Sequence, residues 1–142
     1  MTEITKIRVR YAETDNMGVV YYANYLIWME IGRTELLRSI GIRYRDLEER
    51  GYLLPVVKAF AKYVSPGYYD DEITIHSTVT KLSGPRIRID YKMFREEEEL
   101  ICVGFTEHAF LSKDTKKIVK PPESLIKNVV IPENIEDFIT KI

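Results

Sequence analysis

The stretch best furnished for chemistry runs Tyr11-Ala12-Glu13-Thr14-Asp15-Asn16-Met17-Gly18-Val19-Val20-Tyr21-Tyr22-Ala23-Asn24-Tyr25. An acidic, glycine-containing loop passes into a short apolar run, and from Asn24 the hydrophobic period becomes helical. The start of a helix carries unpaired backbone N–H groups and a partial positive charge. Such groups hydrogen-bond the oxyanion that develops on an attacked carbonyl. A carboxylate of the loop, held close by in an apolar surround, would then serve as nucleophile or general base. The same acidic residues also suit plain loop solvation or the helix macrodipole, so spacing alone locates acyl chemistry without requiring it.

Other kinds of site are not indicated. There is no GxGxxG or GxxxxGK[ST] run to cradle a phosphate, and no GxSxG elbow. His76 and His108 fall in separate strands without metal-ligand spacing, and both read as partly exposed sheet residues. Glu107 precedes His108 and would point to the opposite face. Cys102, between Ile101 and Val103, reads as a packing residue rather than a nucleophile. The run Glu96 to Glu99 reads as a solvated hairpin tip. No metal or redox cofactor is expected.

The elements that must position the loop follow from periodicity. Ile7, Val9 and Tyr11 alternate with Lys6, Arg8 and Arg10, a half-buried strand over Ile4 to Tyr11. Tyr25, Trp28, Met29, Gly32, Leu36 and Ile40 form a stripe at helical spacing, giving an amphipathic helix of about five turns that Gly41 ends. Gly32 costs about 1 kcal/mol in helix propensity, which predicts a close approach to a sheet. Arg43 to Arg50 predicts a second short helix. Strands are expected over Leu53 to Val64, Glu72 to Leu82, Arg86 to Phe94 and Leu100 to Leu111, mostly joined by short turns and hence antiparallel. Pro121 to Lys127 and Pro132 to Lys141 predict two short helices with proline in the first turn. One long helix against one antiparallel sheet makes an α+β domain.

Composition sets the outer limits. The chain has 142 residues, 45% hydrophobic and 30% charged, which predicts one packed domain spanning residues 1–142. Twenty-one basic against 22 acidic residues give a net charge of −1, so no bulk nucleic-acid footprint is expected. A single cysteine excludes an intrachain disulfide and fits a reducing cytoplasm. No signal peptide is read at MTEITKIRVRY, and no apolar run reaches the roughly 20 residues of a membrane span.

The residues Tyr11, Thr14-Asp15, Gly18-Val19-Val20-Tyr21 and Asn24-Tyr25, followed by Trp28-Met29-Glu30 and Arg33-Thr34-Glu35-Leu36-Leu37-Arg38, resemble the 4-hydroxybenzoyl-CoA thioesterase family. The similarity is greatest to its small bacterial acyl-CoA thioesterases associated with the Tol–Pal system. It is specific over residues 11 to 38 and looser through Tyr63, Pro66 and Asp71-Glu72-Ile73. The resemblance implies a hot-dog fold, a curved antiparallel sheet wrapped around the long helix. It implies hydrolysis of an acyl-CoA to a carboxylic acid and free CoA. Asp15 matches the catalytic carboxylate, and Gly18 the glycine that lets the loop pass close to substrate. The Tyr22 N–H matches the group that polarises the thioester carbonyl. Close relatives often carry His where Tyr22 stands, so any role of that imidazole is absent or passes to the Tyr22 hydroxyl.

Val19, Ala23 and Asn24 are expected to flank the substrate with Gly18, and Lys62 and Arg86 to meet the phosphates of CoA. Tyr21, Tyr22, Tyr25 and Phe60 could shape the acyl pocket. Glu30 is assigned to an i,i+3 ion pair with Arg33 rather than to catalysis. The family also implies homodimers or homotetramers with sites at a subunit seam, and apolar residues on both faces of the strands agree. Two other readings remain: a non-catalytic acyl-CoA or protein-binding module, and a hot-dog dehydratase, which would need a histidine beside a carboxylate.

Overall fold

The structure is a computed structural model that describes residues 1–142. Strand β1 (Thr2–Arg8) leads through a 3₁₀ turn (Tyr11–Glu13) and an irregular loop into helix α1 (Asn24–Ser39). There follow α2 (Tyr44–Glu49), β2 (Tyr52–Leu53), β3 (Val56–Tyr63), β4 (Glu72–Ser83), β5 (Arg86–Arg95), β6 (Glu99–Ala109), β7 (Leu111–Ser112) and α3 (Glu123–Asn128). Five strands form one sheet in the order β1-β4-β5-β6-β3, all neighbours antiparallel. β1 and β3 are therefore its edges. No helix is long and apolar enough to cross a membrane.

Helix α1 lies across one face of the sheet, touching β1, β3, β4 and β5. Trp28, Met29, Leu36 and Leu37 pack there against Ile73, Ile75, Ile87, Ile89, Tyr91 and Met93. The approach is as close as Gly32 predicted. A Cβ on Gly32 would collide with Ser77 Oγ and stand 2.9 Å from Ile75 Cγ2. At the far end Gly41 adopts φ +84° and donates its N–H to Arg38 O at 3.0 Å, closing the helix in the left-handed conformation that glycine tolerates best.

Three elements differ from the sequence expectation. The first strand ends at Arg8, and Tyr11, expected in its half-buried stripe, stands exposed in the 3₁₀ turn. The strand expected over Leu53 to Val64 is interrupted at Leu54-Pro55, where proline has no N–H for a ladder, and Tyr52–Leu53 pairs instead with β7. The helix expected over Pro132 to Lys141 is only a 3₁₀ turn, Ile135–Asp137. Beyond it the chain is drawn onto the sheet face opposite α1. The Thr140 N–H donates to Asp90 Oδ2 at 2.6 Å, and the Thr140 hydroxyl to the Gly104 carbonyl at 3.0 Å. Asp90 is buried and anchors this strap with Arg88, whose guanidinium donates to the carboxylate at 2.9 Å.

His108 is fully buried rather than partly exposed. The β6 parity that turns Glu107 outward aims its ring beneath α1, into a chain of polar groups. Nδ1 lies 3.3 Å from the Leu54 carbonyl, Nε2 2.8 Å from Thr106 Oγ1, and Tyr91 Oη 2.8 Å from the same hydroxyl. A carbonyl only accepts, so Nδ1 carries the proton, Nε2 accepts from Thr106, and Thr106 accepts from Tyr91. Burial, reinforced by the Arg33 charge, pushes His108 down to about 4 from an ordinary value of 6.5. The unfolded chain therefore binds this proton first as pH falls. Stability should drop by about 3 kcal/mol across that window, read as urea midpoints at a series of pH values. His108→Gln should flatten the slope, and an unchanged slope would remove His108 as its cause. Gly32→Ala should cost about 1–3 kcal/mol by lifting α1 off Ser77, read in the same melts.

Candidate functional site

At the N-terminal end of α1 the loop and the end of β3 enclose a cavity of about 400 Å³. Asp15, Val19, Tyr22, Tyr25, Tyr63 and Pro66 are among its walls. The loop is folded by its own backbone. The Asp15 N–H donates to Val19 O at 2.9 Å and the Gly18 N–H to Asp15 O at 3.0 Å, with Gly18 at φ +81°. Val19 and Val20 then tie the loop to the segment before β4: Val19 forms a bridge with Tyr68, and the Val20 N–H donates to Gly67 O at 2.9 Å. Asp15 is half-buried, and its Oδ1 accepts the Met17 N–H at 2.8 Å. No hydrogen-bond donor occupies Oδ2, which stays available for chemistry.

The helix start supplies the complementary groups. The Tyr21 N–H donates to Glu13 O, and the Asn24 N–H to Tyr21 O. Between them, the N–H groups of Tyr22 and Ala23 have no acceptor in the protein. Two adjacent free donors beside a carboxylate, at the positive end of a 16-residue helix, form a place for an oxyanion. The Tyr63 hydroxyl donates to the Tyr22 carbonyl at 3.2 Å and so fixes that peptide plane from β3. The Tyr22 ring is exposed and lies 4.7 Å from Tyr21.

The structure thus brings Asp15, Gly18, Val19, Tyr22 and Ala23 together. Asn24 sits beside them but turns its side chain back to Glu13 O at 2.9 Å, a capping role for the loop. Lys62 neighbours Tyr63 on β3 and so projects from the other face of the sheet. Arg86 lies at the β4–β5 hairpin, beside Lys81 and Ser83 at a separate cavity of about 130 Å³. Phe60 stacks on Phe105, 5.6 Å between centroids, on the face away from α1 and lines no part of the Asp15 cavity. Glu30 is exposed and makes no ion pair with Arg33; the helix pair of that spacing is Glu35–Arg38 at 3.4 Å. Arg33 instead acts on the core, where burial pushes Tyr91 up to about 12 against the pull of the Arg33 charge, and where that charge adds to the burial that lowers His108. Burial pushes the Cys102 thiol up to about 12, which leaves no thiolate for nucleophilic attack. His76 lies in the middle of β4, across the sheet from α1.

Glu13, one of the acidic residues of the loop, was given no role by the sequence. It is buried at 5% relative exposure, and its side chain accepts from Trp28 Nε1 at 3.0 Å and from the Arg10 N–H at 2.8 Å. Burial works to raise its carboxyl, but the hydrogen bonds from Arg10 and Trp28 outweigh it and hold the group below the usual range. The signal available in the sequence was the 15-residue spacing to the only tryptophan, which no local period interprets. The cavity walls from Tyr63 to Pro66 were likewise visible only as an extended segment.

A five-stranded antiparallel sheet, a long helix across it and a carboxylate loop at the helix start define the hot-dog thioesterase architecture. Residues 9–129 match the thioesterase-like superfamily, and the chain belongs to that family. It is 30% identical over 131 residues to the acyl-CoA thioesterase YbgC of Haemophilus influenzae, covering 92% of this chain and 88% of that protein. To a 1,4-dihydroxy-2-naphthoyl-CoA hydrolase of Synechococcus elongatus it is 30% identical over 119 residues, 82% of this chain and 87% of the other. The crystal structure of the DHNA-CoA thioesterase from Staphylococcus aureus superposes with a TM-score of 0.81 at 35% identity, over 84% of this chain and 80% of that one.

Proposed function

We infer that the protein hydrolyses acyl-CoA thioesters with Asp15 as the reacting carboxylate. The observation that carries this reading is the pair of unpartnered N–H groups at Tyr22 and Ala23, at the helix start where Tyr22 and Asp15 line one cavity. A thioester carbonyl oxygen placed on them would be polarised, and its developing negative charge would be met by fixed dipoles rather than by reorganising water. Asp15 then acts in one of two ways. It attacks the carbonyl carbon, expelling the CoA thiolate and forming a mixed anhydride that water cleaves. Alternatively it takes a proton from the attacking water, and the collapsing tetrahedral intermediate expels the thiolate. In both, the thiolate leaves as CoA–SH once protonated, and the acid is released as a carboxylate.

The working unit is a pair of chains joined along β3. That edge strand exposes Val56, Val57 and Tyr63, and its outer backbone groups have no partner strand. The Asp15 cavity opens at its Tyr63 end. Antiparallel pairing would lay the Val56 end of a second copy beside it. That end borders a cavity of about 410 Å³ lined by Glu30, Arg33, Thr34, Tyr44, Leu54 and Pro55. A wall bearing a guanidinium and a carboxylate suits acyl groups with polar ends, such as the dihydroxynaphthoyl group named for the Synechococcus relative. Lys81 and Arg86 form no ion pair, and the β5 hairpin lies two strands in from β3. The second copy's hairpin would then be about 14 Å from the first copy's β3, within reach of an extended CoA arm. We assign the CoA phosphates to that pair of cations.

Asp15→Asn keeps the shape of the loop but removes the charge. It should lower kcat at least about 10²-fold in a thiol-trapping assay over a panel of acyl-CoAs, with the fold intact. Turnover near that of the unaltered protein would overturn the mechanism, and no turnover by the unaltered protein on any acyl-CoA would favour a binding module. Label on the protein after single-turnover hydrolysis in heavy-oxygen water would establish the anhydride route, through water attack at the Asp15 carboxyl carbon. Sizing with light scattering at micromolar concentration should give a dimer or a multiple of it. A persistent monomer would defeat the seam.

A further inference from the structure

We propose that Glu13 is the positioning residue of this site, a buried carboxylate that holds the Asp15 loop and the free N–H groups of the helix start in one rigid geometry. The inference rests on the thioesterase reading and concerns how its two halves are kept in register. Asp15 belongs to the loop and the oxyanion donors, Tyr22 and Ala23, stand immediately before α1, so six residues of irregular chain separate Asp15 from Tyr22. Nothing in the loop's internal turns fixes its distance from the helix. Glu13 does so from both its side chain and its main chain.

One carboxylate oxygen accepts from Trp28 Nε1, one helical turn into α1, and the other from the Arg10 N–H, at the end of the β1 segment. The carbonyl of the same residue accepts the Tyr21 N–H at 2.8 Å and the Asn24 side-chain amide at 2.9 Å. Four donors drawn from three parts of the chain thus converge on one residue, two positions before Asp15 and on both flanks of Tyr22 and Ala23. Trp28 itself is fully buried and packs edge-on to Tyr25, 5.0 Å between centroids, so the helix end of the clamp does not move. The one basic side chain at Glu13, Arg10, is largely exposed and meets it at 3.4 Å. The carboxylate is thus held mainly by neutral N–H donors, in hydrogen bonds that the ionised acceptor strengthens and whose directions fix its orientation. A carboxylate is also the one side chain of this length with two acceptor oxygens for two facing N–H donors.

Loss of such a clamp displaces reacting groups without removing any of them, and a displacement near 1 Å is worth about 10²-fold in rate. Glu13→Gln keeps the volume but offers one acceptor to two donors, leaving an amide NH₂ facing an N–H. It should lower kcat about 10- to 100-fold with KM changed less than about threefold, because the CoA and acyl walls are untouched. Amide hydrogen exchange at Tyr21 should accelerate in the same variant, while exchange in β4 and β5 stays as in the unaltered protein. Trp28→Phe removes one donor, so in the double variant the introduced glutamine has a single N–H left to satisfy. Its kcat should then be no lower than that of Glu13→Gln alone, where independent effects would multiply.

The proposal is overturned if Glu13→Gln keeps kcat, or if kcat and global stability fall together with exchange rising throughout the sheet, which marks a merely structural residue. A multiplicative double variant also overturns it. The thioesterase reading fails separately, on the unaltered protein or Asp15→Asn, and in that event exchange at Tyr21 still decides whether Glu13 holds the loop.

Discussion

The contact on which the rest depends is the seating of α1 at Gly32. With a bare Cα over Ser77 and Ile75, the helix lies closer to β4 than any side chain would permit. That depth sets where Trp28 and Met29 enter the core, and so where the helix begins and which N–H groups it leaves free. It has a cost: Ser77 Oγ is buried without a hydrogen-bond partner, and glycine weakens the helix by about 1 kcal/mol. Both are offset by full burial of Trp28, Met29, Leu36 and Leu37 on the same helix.

From that fixed helix the chemistry is assembled by subtraction. A helix start has donors to spare, and the chain around this one satisfies nearly all of them except where the proposed mechanism seats the substrate oxygen. Tyr21 and Asn24 are consumed by Glu13 O and Tyr21 O, which isolates Tyr22 and Ala23. The Tyr63 hydroxyl then immobilises the intervening carbonyl from the sheet side. Asp15 is treated in the same way, with one oxygen bound by Met17 and the other open. Preorganisation here consists in which hydrogen bonds are left unmade.

What could be read in the sequence follows the range of the interactions involved. The long helix, its end at Gly41 and the strands carried by Ile73/Ile75 and Ile87/Ile89 rest on local period and turn chemistry, and they appear where expected. The Asp15 loop was legible because its residues are consecutive and because they resemble a family. His108 was not, since burial of an imidazole depends on Thr106, Tyr91 and a Leu54 carbonyl 54 residues away. Glu13 was hidden for the same reason. The C-terminal segment offered proline and helix-forming residues, but Asp90 takes the Thr140 N–H and Arg88 its carbonyl, which draws the end of the segment out as a strap. Lys62 shows the opposite error. Its type fitted a phosphate, yet alternation along β3 sends it to the other face from Tyr63.

The sheet has two faces and two edges, and both faces are engaged within the chain. α1 covers one face, and the Asp90-anchored strap lies across the other. The β1 edge is flanked by charge, with Lys6 meeting Glu97 and Arg8 reaching Glu72. β3, also unpaired, instead exposes Val56, Val57 and Tyr63, and it is the strand against which the Asp15 cavity opens. Closing the cavity from within would require another layer of chain, which the fold has already committed elsewhere. In the proposed dimer the β3 edge of a second copy closes it instead. The same pairing would bring Arg33, free of Glu30, and the hairpin cations to a site that one chain of almost zero net charge does not otherwise equip for a polyanionic substrate.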